Sequence, residues 1–196
     1  MMTSLDQLDF SRQYTYADYL QWKFQERLEL IRGYIYKMSP APARRHQDIS
    51  RNLGRQIDKY LLDLPYQWYS APFDVRLPRR NKNGDSEIST VVQPDICIVC
   101  DLSKLDDRGC IGAPDVIIEI LSPGNTKKEM FDKFQVYEEA GVKEYWLVEP
   151  ADKMVLVYTL NEQGQYIGKR PFTEGEKMSS FVFPELEVDL STVFVD

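Results

Sequence analysis

The sequence is poor in the residues that build disulfide frameworks and zinc sites. It contains three cysteines and one histidine in 196 residues, and an odd cysteine count fits a reducing compartment better than a set of disulfides. Cys97 and Cys100 form a C-x-x-C pair, but strand alternation sends their side chains to opposite faces and no second pair follows. We therefore expect small buried thiols, and the single histidine, His46, argues against a structural zinc site.

Long apolar runs are also missing. The hydrophobic segments are far shorter than the roughly 20 residues that span a bilayer, and the start, MMTSLDQLDF, has neither a basic nor an apolar leader region. We expect a soluble, cytoplasmic protein. With 43% hydrophobic residues, the chain is rich enough for one domain over 1–196 with a single core.

The chain lacks an overall basic charge, because its net charge is −7, and this argues against nucleic acid. The charge is segregated, however. Residues 43–82 hold nine Lys and Arg against four Asp and Glu, so this stretch is +5 and the rest is −12. Within it, a predicted helix from Ala43 to Leu62 has one apolar side and an opposite basic side with Arg44, Arg51, Arg55 and Lys59. This basic side is either a solvated face or a surface that binds nucleic-acid phosphates.

Apolar periodicity and turn residues predict the order of elements. The first predicted elements are a helix that Thr15 caps and that runs to about Phe24, a hairpin over Leu28–Met38 that turns at Arg32-Gly33 and is ended by Pro40 and Pro42, and the Ala43–Leu62 helix. They are followed by one or two strands over Tyr66–Leu77 with a possible break at Pro72, a polar loop over Pro78–Gln93, and strands Asp95–Cys100 and Asp115–Leu121, which a charged connection separates. The last predicted elements are a turn at Ser122-Pro123-Gly124-Asn125, a helix over Lys127–Ala140 that stops at Gly141, and strands Lys143–Glu149, Met154–Leu160, Tyr166–Arg170 and Phe181–Phe183.

The order of these elements predicts the fold class. A strand, helix, strand passage over Asp115–Glu149 favours a parallel pair of strands, whereas the earlier strands can pair as antiparallel neighbours. We expect an α/β fold with a mixed sheet flanked by helices and further strands at both ends of the chain.

Lys133 lies where the helical pattern places the protein core. At 100° per residue, Met130, Phe134 and Tyr137 form the apolar centre of its helix, with Val136, Ala140 and Phe131 on the flanks. Lys133 projects inside that arc. A lysine held against a core either extends its charged end outward or is retained because a nearby anion requires it.

Two carboxylates in the buried strands are candidates for that anion. Asp95 opens one strand and Glu119 lies inside the next. Two such carboxylates on adjacent strands can hold a divalent cation, which prefers hard oxygen ligands and retains several waters. With Lys133 they would form a site for phosphodiester cleavage. The alternative is that Asp95 only caps its strand and that Glu119 and Lys133 are a structural ion pair.

These residues carry a resemblance to the Uma-type (Uma-two) restriction endonuclease family. The resemblance covers about Tyr14 to Tyr158, and the combined set of motifs is more specific than any one of them. The matching segments are Leu28–Gly33, Met38 to His46, Gln93-Pro94-Asp95, Val116–Pro123, Lys133 and Gly141–Pro150.

The resemblance implies a PD-(D/E)XK nuclease fold, also called restriction-endonuclease-like, with its core at about 43–150. It implies that Asp95 and Glu119 bind the metal and that Asp95, Glu119 and Lys133 are catalytic. The superfamily pattern places its lysine two positions after the glutamate, where this chain has Leu121. In this family the lysine comes from the following helix, and Lys133 is the matching position.

The expected function is a magnesium-dependent DNA endonuclease that accepts Mn²⁺ as a substitute and acts as a homodimer, since two related sites cut two strands. The expected nucleic-acid contacts are Arg44, Arg51 and Arg55. Glu29 and His46 are secondary candidates, with a solvent-facing strand glutamate and a structural histidine as the favoured interpretations. The alternatives are a catalytically inactive nuclease fold that binds nucleic acid or protein, and a small-molecule phosphohydrolase.

Overall fold

A computed structural model describes residues 3–38, 43–79, 84–123 and 127–195. The helices are α1 (Tyr16–Tyr19), α2 (Arg44–Leu61) and α3 (Lys127–Ala140). The strands are β1 (Leu28–Ile31), β2 (Tyr34–Lys37), β3 (Gln67–Ser70), β4 (Val75–Arg76), β5 (Val91–Val92), β6 (Ile96–Val99), β7 (Leu105–Asp106), β8 (Gly109–Ile111), β9 (Val116–Ile120), β10 (Glu144–Glu149), β11 (Met154–Leu160), β12 (Tyr166–Gly168), β13 (Phe172–Thr173), β14 (Lys177–Ser179) and β15 (Glu187–Asp189).

The larger sheet is mixed and has the strand order β12-β11-β10-β9-β6-β3, with β13 added beside β11. Strands β9 and β10 are parallel, whereas β6 is antiparallel to both β9 and β3. The predicted parallel pair and the predicted antiparallel neighbours are therefore confirmed, and α3 is the crossover that joins β9 to β10.

Helices α2 and α3 cover opposite faces of this sheet. Ile118 of β9 belongs to the apolar cluster that contains the buried residues of α2, and its neighbour Ile117 belongs to the cluster of α3. Alternate residues of a strand point to opposite faces, so a strand covered on both sides is apolar throughout. By the same alternation, Glu119 lies on the face that α3 covers.

A second sheet of six strands has the order β2-β1-β5-β4-β8-β7. Its first hairpin turns at Arg32 and Gly33, which have φ angles of 54° and 86°, as a tight two-residue hairpin turn requires. The predicted hairpin is confirmed. The predicted break at Pro72 is also confirmed, because β3 precedes it in the larger sheet and β4 follows it in the second sheet.

Several predicted elements are wrong in extent. The first helix ends at Tyr19 instead of Phe24, although Thr15 caps it with Asp18 as predicted. Trp22 then packs against the rings of Tyr14 and Tyr19, and such tertiary packing overrides local helix preference. The polar loop contains β5, the charged connection contains the hairpin β7-β8, and the strand that begins at Tyr166 is only three residues long.

The predicted strand Phe181–Phe183 is absent from the described residues, and that part of the chain instead lies between β14 and β15. The backbone N–H groups of Phe181 and Val182 donate to the side chain of Glu144 on β10. Backbone donors used in this way are not available for pairing with another strand. A buried carboxylate thus determines the local structure where apolar residues predicted a strand.

Cys97 packs in the α3 cluster and Cys100 against the α2 cluster, and both are free thiols, so their predicted opposite orientation is confirmed. Pro40 and Pro42, predicted to end the hairpin, and the Gly124-Asn125 part of the predicted turn lie outside the described residues. None of the described helices has both the length and the apolar character needed to cross a membrane.

Candidate active site

Asp95 and Glu119 meet at the end of the larger sheet where β6 begins and β9 ends. The antiparallel register pairs Ile96 with Ile118, and Asp95 and Glu119 are the next residues along the two strands. The charge of Asp95 is close enough to Glu119 to raise the pKa of the Glu119 carboxyl. The backbone N–H of Ile120 donates to Asp95 Oδ2 at 2.7 Å, and this bond ties the Asp95 side chain to β9.

Helix α3 holds Glu119 with two side chains one turn apart. Lys133 Nζ donates to Glu119 Oε1 at 3.0 Å, and the Tyr137 hydroxyl donates to the same oxygen at 2.6 Å. Residues four apart on a helix share a face, so both donors reach the sheet together. The predicted core-facing direction of Lys133 is confirmed, because the residue is only 6% exposed.

The side of α3 that faces the sheet is less apolar than its sequence pattern predicted. Tyr137 is fully buried and Val136 nearly so. Met130 and Phe134 are half-buried, and Phe131 is 60% exposed. The buried side of the helix is thus divided between apolar packing and the two polar contacts to Glu119.

Glu29 is the site residue that sequence reasoning placed wrongly. A solvent-facing glutamate was expected, but Glu29 is 1% exposed and its Oε1 lies 3.0 Å from Lys133 Nζ. The same oxygen accepts the backbone N–H of Gln93 at 2.8 Å. All four residues of β1 are buried, and Glu29 lies on the same strand face as Ile31, which packs in the α3 cluster. A four-residue strand pattern does not show that both of its faces are covered.

His46, in the first turn of α2, contacts the Asp95 carboxylate. Its Nε2 is 3.3 Å from Asp95 Oδ2, and it also hydrogen-bonds the backbone of Ile120. Burial opposes protonation of the imidazole, but the hydrogen bond and the charge of Asp95 outweigh it, so the pKa of His46 is raised. The favoured sequence interpretation left His46 outside the site, whereas the structure places it against Asp95.

The cluster contains more carboxylates than firmly charged cations. Burial raises the pKa of Glu119 to about 7, and the negative charges of Asp95 and Glu29 add to this effect while Lys133 opposes it. Burial disfavours the charged form of Lys133, but Glu119 and Glu29 outweigh it and raise the lysine pKa well above its usual value. The ammonium is therefore retained at neutral pH, and the cluster has a surplus of negative charge.

The oxygen donors fit a hard divalent cation. The described residues contain no group of three or more His, Cys, Asp or Glu side chains arranged to hold a metal ion, but magnesium binds through one or two carboxylates and keeps its waters. The hydrogen bonds from Ile120, Lys133 and Tyr137 use Oδ2 of Asp95 and Oε1 of Glu119. The second oxygen of each carboxylate is not used by these three bonds. Two hard carboxylates in a region of surplus negative charge are the donor chemistry that such an ion requires.

The three predicted DNA-contacting arginines are not brought into this cluster. At about 100° per residue, Arg44, Arg51 and Arg55 lie roughly 140° to 180° around α2 from His46. Asp48 lies beside them, with its carboxylate 2.7 Å from Arg51 and 3.7 Å from Arg44. The basic side of α2 therefore faces away from the carboxylates, and part of its charge is balanced locally.

A cavity of about 410 Å³ lies beside the site. Its lining includes Gln93, Asp74 and the stacked rings of Tyr69 and Phe73. Neither of the paired carboxylates nor Lys133 lines it. The carboxylate cluster is thus not at the bottom of this cavity.

The fold matches that of a solved structure. The crystal structure of "a putative nuclease belonging to DUF820 from Anabaena variabilis" has a TM-score of 0.70 and 21% sequence identity, and the match covers 92% of this chain and 97% of that chain. The predicted restriction-endonuclease-like α/β fold is confirmed by this likeness. No curated protein gives a significant match.

The whole-chain pattern of motifs agrees with a family model. The model named Uma2, described as "Putative restriction endonuclease", matches residues 16–191. That range contains each of the side chains that form the site, from Glu29 to Tyr137, and it extends the resemblance beyond the segments that the sequence motifs covered. The chain belongs to the Uma2 family.

Proposed function

We propose that this protein is a metal-dependent endonuclease that hydrolyses phosphodiester bonds in DNA. The observation that carries the proposal is the convergence of Asp95, Glu119 and Lys133 from three separate elements on one end of the sheet. Membership of a family described as restriction endonucleases supports the same reaction class.

Asp95 and Glu119 would hold the ion, with Mg²⁺ as the expected metal and Mn²⁺ as a substitute. When bound, such an ion polarises the phosphate and lowers the pKa of water. Asp95 is kept in place for this role by the backbone of Ile120 and by His46. Glu119 is kept in place by Lys133 and Tyr137, so neither carboxylate depends on the ion for its orientation.

Lys133 supplies a fixed positive charge beside the reacting phosphate. Its ammonium has three donors, and two of them are directed at Glu119 and Glu29. A donor held in place before the reaction stabilises the charge that develops on phosphate without a reorganisation cost. Because the pKa of Lys133 is raised, we assign it this electrostatic role and not that of a general base.

A polymeric substrate fits the position of the site better than a small phosphate ester does. Pockets for small ligands bury most of the ligand surface, and the carboxylates here lie outside the neighbouring cavity. Arg44 is 83% exposed and lies 3.7 Å from Asp48, whereas Arg51 is 56% exposed and lies 2.7 Å from the same carboxylate. Of the three predicted DNA contacts we therefore assign the main one to Arg44.

We further propose that the protein acts as a homodimer in the cytoplasm. Two copies of the site would cut the two strands of a duplex, and free thiols fit a reducing compartment. The alternative function is a catalytically inactive nuclease fold that binds nucleic acid or protein. The overall charge of −7 favours that alternative, whereas the complete set of Asp95, Glu119 and Lys133 favours catalysis.

Incubation with supercoiled and single-stranded DNA in Mg²⁺, Mn²⁺ or chelator tests the proposal. We expect nicking or cleavage with either metal, none with chelator, and none with Asp95→Asn prepared in parallel. The parallel variant identifies any contaminating nuclease. DNA that binds without being cut in either metal would assign the protein to the inactive class.

A further inference from the structure

We infer that Glu29 is a positioning residue that holds the ammonium of Lys133 beside Glu119, so that the N-terminal sheet forms part of the active site. Glu29 lies on β1, outside the 43–150 segment expected to hold the nuclease core. The inference rests on the proposed function in that it deepens the role of Lys133.

The geometry around Lys133 requires a second partner. Its Nζ is 3.0 Å from Oε1 of Glu29 and 3.0 Å from Oε1 of Glu119. Lysine is a point charge on a flexible four-carbon stem, and one carboxylate would leave that stem free to turn around it. Two carboxylates on different elements restrict the ammonium to the space between them.

Glu29 is itself rigidly held. Its Oε1 accepts the backbone N–H of Gln93 at 2.8 Å, and the Gln93 side chain is fixed in turn by two bonds from Arg27 and one to Asp74. Gln93 lies two residues before Asp95. The segment that carries the metal-binding carboxylate therefore also anchors the residue that holds the lysine.

Burial makes a purely structural role costly. Glu29 is 1% exposed and Lys133 is 6% exposed, and a buried ion pair is often no more stable than apolar residues of the same volume. The buried pair of Glu29 and Lys133 is explained if catalysis depends on the position of the Lys133 ammonium.

Two variants of Glu29 separate charge from position. Glu29→Gln keeps the length of the side chain and removes its charge, whereas Glu29→Asp keeps the charge and withdraws it by one methylene. Glu144→Gln is the matched control. Glu144 is also a fully buried strand glutamate that accepts backbone N–H groups, and it lies three residues before Leu147, the residue of β10 that pairs with Glu119.

The first readout is the single-turnover rate of DNA cleavage at saturating metal and DNA. We expect both Glu29 variants to lose about 10- to 100-fold, the size of loss that a displacement of about 1 Å produces, with unchanged affinity for DNA. Glu144→Gln should cut at the wild-type rate even if its melting temperature falls as far as the melting temperatures of the two Glu29 variants. Rates for both Glu29 variants within twofold of that control would overturn the inference.

The second readout does not depend on activity. Amine-selective ¹H–¹⁵N spectra report whether the Lys133 ammonium is hydrogen-bonded and protected from exchange. We expect a protected signal in the wild-type protein and in Glu144→Gln, and its loss in Glu29→Asp. If the wild-type protein cuts no DNA, the nuclease proposal fails while this comparison still decides the place of Lys133. A protected signal in Glu29→Asp would contradict the positioning role.

Discussion

Glu119 and Glu144 lie on the neighbouring parallel strands β9 and β10, and both are buried, but their partners differ in kind. Glu144 accepts the indole N–H of Trp146, the hydroxyl of Ser180 and the backbone N–H groups of Phe181 and Val182. All four donors are neutral. Glu119 instead accepts from the cation Lys133 and from Tyr137, in the neighbourhood of two other carboxylates.

The difference is consistent with a structural role for Glu144 and with the metal-binding role proposed for Glu119. Hydrogen bonds stabilise a buried carboxylate. The four neutral donors therefore account for the burial of Glu144, which anchors the chain after β14. Around Glu119, burial raises the pKa to about 7, and the charges of Asp95 and Glu29 add to this effect while Lys133 and the Tyr137 hydroxyl oppose it. A site with surplus negative charge gains stability from one more cation.

The largest expected effect is on catalysis. Glu119→Gln should reduce single-turnover cleavage by about 10³-fold or more, because it removes one of the two carboxylates that we propose to bind the metal. Glu144→Gln makes the same substitution at a buried strand glutamate outside the cluster and should leave the rate within about twofold. Equal losses in the two variants would mean that burial alone, and not the cluster, sets activity.

Removing the charge of Lys133 should have the next largest effect, and this effect is on stability. Lys133→Met preserves the apolar stem but leaves Glu29 and Glu119 buried without a counter-charge, so we expect the free energy of unfolding at pH 8 to fall by about 3 to 5 kcal/mol. The double variant Glu29→Gln with Lys133→Met removes one of the two unpaired carboxylates, so it should recover part of this loss and still cut about 100-fold more slowly. Denaturant unfolding and single-turnover assays measure the two effects. Wild-type stability of Lys133→Met would contradict the charge balance described here.

The stability of the metal-free protein should depend on the protonation of Glu119. Its folded pKa is raised from 4.5 to about 7, so the stabilisation from its bound proton is complete below about pH 4.5 and is lost as the pH rises through 7. In chelator at pH 8, Glu119→Gln should therefore be more stable than wild type, by up to about 3 kcal/mol. The gain should shrink toward pH 5, and a gain that does not change with pH would exclude Glu119 as its source.

The smallest expected effect concerns the basic side of α2. Arg44→Gln should make the slope of log affinity against log salt shallower by about one unit, as the loss of one phosphate contact requires. Arg51→Gln should change the slope less, because Arg51 is paired with Asp48 at 2.7 Å whereas Arg44 is 3.7 Å from the same carboxylate. Equal slopes for the two variants would remove Arg44 from the DNA contact.

The sequence predicted those parts of the site that depend on local periodicity. Helical spacing placed Lys133 against the core, and two apolar runs placed Asp95 and Glu119 on neighbouring strands. Glu29 was assigned to solvent because its burial depends on α3, about 100 residues later in the chain, which covers β1. His46 was left aside for a similar reason, since its contact with Asp95 depends on how α2 crosses the sheet. Contacts between elements distant in sequence leave no periodic signal in either one.

Calorimetric titration of Mn²⁺ into the wild-type protein, Asp95→Asn, Glu119→Gln and Glu144→Gln tests the central claim most directly. The account predicts one site per chain in the wild-type protein and in Glu144→Gln, and affinity at least about tenfold weaker in each of the other two variants. Wild-type affinity in both Asp95→Asn and Glu119→Gln would contradict a shared metal site at the end of β6 and β9.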